Sequence, residues 1–109
     1  MASVRRPGRD ITLVTPSASV AECLAVADGW AGRGVDVEVL DISPANRADH
    51  AVVLASVART RKAVILGASA DIACLLYEEL FADLEHPIVR LAAVREGDEL
   101  NEAVRHLAS

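Results

Sequence analysis

Short β-prone runs alternate with helical patterns along the whole chain, and this alternation restricts the possible folds more than any other feature. The runs occupy residues 11–15, 35–42, 63–66 and 87–93. AVIL at 63–66 is apolar on both faces, as is typical of a central strand in a parallel sheet. Strands of this length alternating with helices predict a three-layer α/β/α domain with a mostly parallel sheet. Because the connections between parallel strands of one sheet are right-handed, only a few sheet topologies are possible.

Apolar residues recur at helical spacing between and after these runs. Gly32 and Gly34 predict the end of the first helix, and 97–98 the start of the last. Ser43-Pro44 predicts a helix that begins there or one turn later. The apolar stripes comprise Val20, Cys23, Leu24, Ala27 and Ala31; Val53, Leu54 and Val57; Ile72, Leu75, Leu76 and Leu80; and Leu100, Val104 and Leu107.

The run at 35–42 carries three carboxylates. Asp36 and Glu38 share one face, and Asp41 points to the other, so the three do not form an acid–base pair. Two charges on one face of a strand are typical of a position near a sheet edge. We therefore expect the start of this strand to be exposed to solvent and its end to be buried.

Length and composition indicate a single domain over residues 1–109. Apolar residues make up 52% of the chain, enough for one core, and aromatic residues only 3%. The net charge of −5 argues against nucleic-acid binding. No apolar run reaches the roughly 20 residues of a membrane span, and the N-terminus lacks the hydrophobic stretch of a signal peptide.

The turns after the first and third β-prone runs form a candidate anion site. In an open parallel sheet, ligands bind beyond the carboxyl ends of the strands. Ser17 and Ser19 follow one run, and Gly67 and Ser69 follow the other, each at a helix start where free N–H groups favour an anion. The alternative is that the serines only cap their helices. Neither turn carries a dinucleotide or P-loop motif.

The remaining reactive residues predict no catalytic, metal-binding or cofactor-binding site. His50, His86 and His106 are far apart, without metal-ligand spacing, and are expected at the surface. Cys23 lies on a buried stripe and Cys74 is also helical; neither has the electropositive helix N-terminus that activates a thiol. The cysteines form no CxxC motif, which favours free thiols in a reducing, cytoplasmic setting.

Four segments, in order, resemble the C-terminal domain of transketolase-like thiamine diphosphate enzymes. The version in the beta subunits of pyruvate and branched-chain 2-oxo acid dehydrogenases is the most similar. The segments are RRPGRDITLVT (5–15), AVADGWAGRGVDVEVLDISP (25–44), LASVARTRKAVIL (54–66) and HPIVRLAA (86–93).

The resemblance implies a five-stranded mixed sheet with one antiparallel edge strand, which residues 3–6 would supply. The strands at 11–15 and 63–67 would then be neighbours. It also implies that thiamine diphosphate and magnesium are held by two other domains, carried by partner chains. The third domain is non-catalytic in the family and contributes to dimer and subunit contacts.

Two functional hypotheses follow. The first is a non-catalytic assembly or docking subunit of a split thiamine diphosphate enzyme, oligomeric and not an enzyme on its own. The strand at 35–42 and the exposed helices would contact the cofactor-binding subunits, and a lipoyl or carrier protein could also dock. The alternative is a small regulatory module that senses an anionic metabolite at Ser17, Ser19, Gly67 and Ser69.

Overall fold

Strands and helices alternate in the computed structural model of the protein, which describes residues 3–42, 47–67, 70–91 and 97–108. A short 3-10 turn, Ser17–Ser19, precedes the first helix. The described elements are β1 (Ser3–Arg6), β2 (Ile11–Thr15), α1 (Val20–Ala31), β3 (Val37–Asp41), α2 (Arg47–Thr60), β4 (Ala63–Leu66), α3 (Ala70–Leu80), β5 (Val89–Leu91) and α4 (Gly97–Ala108).

The strands form one sheet in the order β1-β3-β2-β4-β5. β1 runs antiparallel to β3, and the other described neighbours are parallel. The α/β fold with a mostly parallel five-stranded sheet is therefore confirmed. The antiparallel edge strand at residues 3–6 and the pairing of β2 with β4, both implied by the resemblance, are confirmed as well.

Helices cover both faces of the sheet, because successive strand side chains point to opposite sides. α1 and α4 bury their apolar stripes on one face, against side chains such as Leu13, Val39 and Val64. α2 and α3 bury theirs on the other, against Val14 and Ile65. Two apolar clusters thus sandwich the sheet. The described residues contain no helix long and apolar enough to cross a membrane.

The strand at 35–42 lies near a sheet edge, as predicted, but β1 forms the edge itself, and the solvent exposure expected at the start of the strand is wrong at Glu38. The strand, β3, lies between β1 and β2, and Glu38 is only 3% exposed. The charge is tolerated in the interior because Arg59 and the Gly8 N–H reach it from other segments. Its bounds, Val37–Asp41, are slightly shorter than predicted.

The other strand boundaries follow the sequence closely. β2 and β4 have the predicted limits, and β5 begins at Val89 inside the predicted 87–93, of which 92–93 lie outside the described residues. The proposed cap at 43–44 also lies outside them, and α2 is described from Arg47 onward.

Candidate functional site

The carboxyl ends of β2 and β4 lie side by side, which brings together the turns that follow them. Val14 pairs with Ile65 in the parallel ladder. Gly67 has a φ of 89°, a conformation that favours glycine. A methyl group placed on Gly67 would lie 3.7 Å from the ring carbons of Pro16, so the two turns touch. Ser69, the fourth predicted residue, lies outside the described residues.

Ser17 is already bonded to a carboxylate of the chain itself. Its hydroxyl donates to Oδ1 of Asp41 at 2.8 Å. The guanidinium of Arg5 approaches Oδ2 of Asp41 at 3.4 Å. An exogenous anion at Ser17 would therefore have to compete with a fixed negative charge. Anion binding by these residues stays a prediction, and the Ser17–Asp41 bond argues against it.

Ser19 occupies the N-cap position of α1, but its side chain makes no capping hydrogen bond. The backbone of the 3-10 turn takes over part of that task, because the Ser19 N–H donates to the Pro16 carbonyl and the Val20 N–H to the Ser17 carbonyl. Helix capping by the Ser19 hydroxyl, one part of the alternative to an anion site, is therefore wrong, whereas capping by Ser69 lies outside the described residues.

The thiol nearest to this end of the sheet is chemically quiet. Cys23 is fully buried, and burial raises its pKa to about 11, with the nearby Glu22 carboxylate adding to the rise and a hydrogen bond to Thr15 opposing it. At neutral pH the thiol is protonated, so it is a poor nucleophile. Both Cys23 and Cys74 are free thiols, but Cys74 is exposed.

Two of the histidines lie closer together than the sequence suggests. The rings of His86 and His106 meet edge to face, with centroids 5.7 Å apart. His106 is exposed and His86 half-buried, whereas His50 is half-buried on α2. Within the described ranges, no group of three histidine, cysteine or acidic side chains is arranged to hold a metal ion.

The most developed polar cluster lies on the α2 side of the sheet. Glu38 receives hydrogen bonds from the Gly8 N–H at 3.2 Å, from Arg59 Nη2 at 2.8 Å and from the Ser56 hydroxyl. The Thr12 and Ser56 hydroxyls are 2.7 Å apart. Each buried polar group of this cluster has a partner within the chain, so the cluster fastens the β1–β2 connection, β3 and α2 together. Sequence reasoning missed it, because its members are distant along the chain.

Residues 1–108 of this 109-residue chain match the family model for the transketolase C-terminal domain. The chain belongs to the transketolase C-terminal domain family. It is 36% identical over 99 residues to the pyruvate dehydrogenase E1 component subunit beta of Staphylococcus epidermidis, a match covering 84% of this chain and 30% of that protein. The mitochondrial counterpart of Drosophila melanogaster is 35% identical over 101 residues, covering 85% and 28%.

A split gene transketolase, solved as an inactive beta4 tetramer, has the same fold as this family member. The match has a TM-score of 0.71 and 18% identity, and covers 98% of this chain but 41% of that chain. The present chain therefore spans roughly a third of the length of these relatives.

Proposed function

We propose that this chain is a non-catalytic assembly part of a thiamine diphosphate-dependent enzyme of the transketolase or 2-oxo acid dehydrogenase type, acting in the cytoplasm. The family match over residues 1–108 carries the proposal. The relatives are named as beta subunits of pyruvate dehydrogenase E1, and this chain aligns with less than a third of their length. The free thiols Cys23 and Cys74 fit a reducing compartment.

The side-chain chemistry of the described residues supports placing thiamine diphosphate and magnesium on partner chains. Magnesium needs several oxygen ligands around a diphosphate, and no such group is present among the described residues. At the carboxyl edge, Asp41 is engaged by Ser17 and Arg5. The part of the chain that the structure describes therefore does not fit the cofactor.

The split gene transketolase supports a division of labour between chains. It was solved as an inactive tetramer of beta chains, and the fold of the present domain covers 41% of that chain. By analogy, this chain would complete an enzyme whose cofactor is bound by other polypeptides, with or without a lipoyl or carrier protein that docks on it. Since β1 covers β3, the contacts would be made by the outer strands and the helices.

The test is affinity purification of the tagged chain from its native cells, followed by mass spectrometry and assay of 2-oxo acid decarboxylation and ketol transfer. We expect polypeptides with thiamine diphosphate-binding domains in stoichiometric amount, and activity in the complex but not in the isolated chain. Isolated chain that is active, or recovery of the chain alone from an extract containing those polypeptides, would contradict the proposal. A lipoyl or carrier protein in the eluate would extend it.

A further inference from the structure

β5 is an open edge of the sheet in the described residues. On the side of its neighbour β4, the Leu91 carbonyl accepts a hydrogen bond from the Gly67 N–H at 2.9 Å. Backbone groups of successive strand residues point to opposite edges, so the N–H and C=O of Arg90 point away from β4. The Ile88 N–H, two residues earlier, already donates to the Tyr77 hydroxyl at 2.9 Å. Arg90 is therefore the position at which another strand can pair with β5.

β1, at the other end of the sheet, is open in the same way. At the end of β3, the Ile42 N–H donates to the Thr15 carbonyl of β2 at 3.0 Å. The backbone groups of Asp41 therefore point the other way, toward β1, where Ser3 is its partner. The N–H and C=O of the next residue, Val4, consequently point outward. Each outer strand thus presents one donor and one acceptor together.

The exposed large apolar side chains of the described residues lie at these same two edges. Val4 on β1 is 51% exposed, and Tyr77 and Phe81, beside β5, are 37% and 75% exposed. Val4 and Arg90 point to the α2 and α3 face of the sheet, because the residues paired with them on β3 and β4 pack in the apolar cluster of that face. Both edges therefore offer apolar surface on one and the same face.

A groove that carries carboxylates lies on the other face of β5, beside α4. Val89 forms part of its floor, and Glu99 and Glu102 line it with exposed side chains. Glu102 approaches Arg105 at 3.5 Å, an exposed contact that contributes little, and His106 also lines the groove. Glu99 has no ion pair in the part of the chain that the structure describes, so its carboxylate is available to a cation from another molecule.

We propose that β1 of one copy of this chain pairs antiparallel with β5 of a second copy, with Val4 opposite Arg90. In this register the outward groups of the two strands meet, and the two residues exchange two backbone hydrogen bonds. Val4 then lies on the α3 face, on the side of the exposed Phe81. Arg5, the next residue along β1, turns to the α4 face and enters the groove that holds Glu99. The two copies thus share one continuous sheet.

Pairing of identical edges is less favourable than pairing of β1 with β5. Two β5 strands would place one Arg90 opposite another, and like charges directly opposite destabilise a strand pair. Two β1 strands would bring together two edges that each carry Arg5 and Arg6. The net charge of −5 on each copy opposes any association, so the contact should be weak.

The proposed contact joins two different edges, so it leaves one β1 and one β5 open and can add further copies. The exposed Arg5 is 46% accessible and approaches Asp41 at 3.4 Å, a surface pair that little opposes a second carboxylate. This inference concerns association of the chain with itself. It goes beyond the proposed function and does not depend on it.

The first test uses the unmodified chain, isotopically labelled, in NMR and sedimentation velocity. The concentration is raised from about 20 µM to about 2 mM, the range in which small transient interfaces dissociate. We expect the average mass to rise and the amide signals of Val4 and Arg90 to shift together along one binding curve. The signals of the central strand β2 should stay in place.

Two proline variants test which edges meet. Val4→Pro and Arg90→Pro each remove an N–H that the sheet does not use, so both should keep the native NMR spectrum. Each variant alone should associate at least about tenfold more weakly than the parent chain. Their mixture should form a one-to-one dimer that grows no further, since the intact β5 of one pairs with the intact β1 of the other. Val4→Thr and Arg90→Ala, which keep the N–H, should still associate.

A charge variant tests the α4 face. Arg5→Gln should weaken self-association about threefold, because exposed ion pairs contribute little. Arg33→Gln, the same change at an exposed residue that follows α1, should leave it unchanged.

Four outcomes would overturn the inference. One is an average mass and a set of NMR signals that do not depend on concentration. The second is undiminished association of the folded Arg90→Pro variant, which would show that two β1 strands pair. The third is undiminished association of the folded Val4→Pro variant, which would show that two β5 strands pair. The fourth is a mixture of the two folded proline variants that stays monomeric.

Discussion

The two outer strands of the sheet, β1 and β5, limit unwanted pairing of their open edges with other strands in different ways. β1 carries arginines that are anchored to the rest of the molecule: Arg6 donates to the Val37 carbonyl at 2.7 Å and lies 3.3 Å from Asp36. β5 is three residues long, and within the described residues its outer edge is blocked only where the Tyr77 hydroxyl accepts a hydrogen bond from the Ile88 N–H. Charged residues and short length both discourage edge pairing, but only the charged edge is also an anchor.

The two edges therefore contribute differently to the stability of the fold. The loop after β1 packs against β3 so closely that Gly8 leaves no room for a side chain, and Arg59 reaches the Gly8 carbonyl and the buried Glu38. The open side of β5, by contrast, supports no described contact beyond Tyr77. Changes near β1 should therefore lower the stability of the fold, and changes on the outside of β5 should affect it little.

The largest effect is expected at Gly8. A Cβ there would lie 2.4 Å from the backbone carbon of Val37 and 2.5 Å from the Glu38 nitrogen, so backbone must move. Gly8→Ala should lower the free energy of unfolding by about 3 kcal/mol, as in severe overpacking. In the control Gly29→Ala on α1, nothing lies within 4 Å of the new methyl group, and helix propensity should add up to about 1 kcal/mol. Urea unfolding measures the stability of both variants. Equal stability of Gly8→Ala and Gly29→Ala would contradict the conclusion that close packing on the β1 side is required for stability.

An effect of intermediate size on stability is expected from the buried thiol of Cys23, which belongs to neither edge of the sheet. The pKa of Cys23 is raised from 9.0 to about 11, so the folded state holds this proton more tightly than the unfolded state does. Stability is full below pH 9 and is lost as pH rises toward 11, by about 2 kcal/mol at that limit.

Unfolding free energies measured from pH 8 to 11 test this expectation, with Cys23→Ala as the control. The control loses packing at all pH values but should lose less stability between pH 9 and 11 than the parent chain. The same slope in both proteins would mean that another group causes the loss. This pH dependence of the unfolding free energy does not involve either edge of the sheet. It should therefore be the same in the edge variants and serves as a reference for them.

The smallest effects compare one arginine from each edge. Arg6→Ala removes a hydrogen bond to a backbone carbonyl and ion pairs with Asp36 and Asp28, and should cost about 1 kcal/mol. Arg90→Ala alters an exposed position with no ion pair in the described part of the chain, and should change stability by less than about 0.5 kcal/mol. Chemical denaturation of both variants in one buffer measures the two losses. A larger loss of stability in Arg90→Ala than in Arg6→Ala would contradict the comparison.

The sequence predicted the elements well because local patterns determine them. The apolar run at 63–66 and the run at 11–15 became β4 and β2 with the predicted limits. The family resemblance added what periodicity lacks, namely that residues 3–6 close one edge. Such a strand, with the sequence SVRR, has no alternation strong enough to be identified on its own.

The candidate site was less predictable, because its contacts join distant segments. Placing Ser17 and Gly67 near each other required only the strand order. The hydrogen bond between Ser17 and Asp41 spans 24 residues and changes the charge of the place where an anion would bind. The interior position of Glu38 was missed for the same reason, since its partner Arg59 lies on a helix 21 residues further along.

The cluster around Glu38 also bears on the order in which the chain folds. Its carboxylate is stabilised in the interior only when segments 30 residues before it and up to 21 residues after it have arrived. Until then, burial would cost the solvation of an unpaired charge. We therefore expect the carboxylate to stay in water through the early stages of folding and the cluster to close late. We expect substitutions there to speed unfolding while leaving the folding rate almost unchanged.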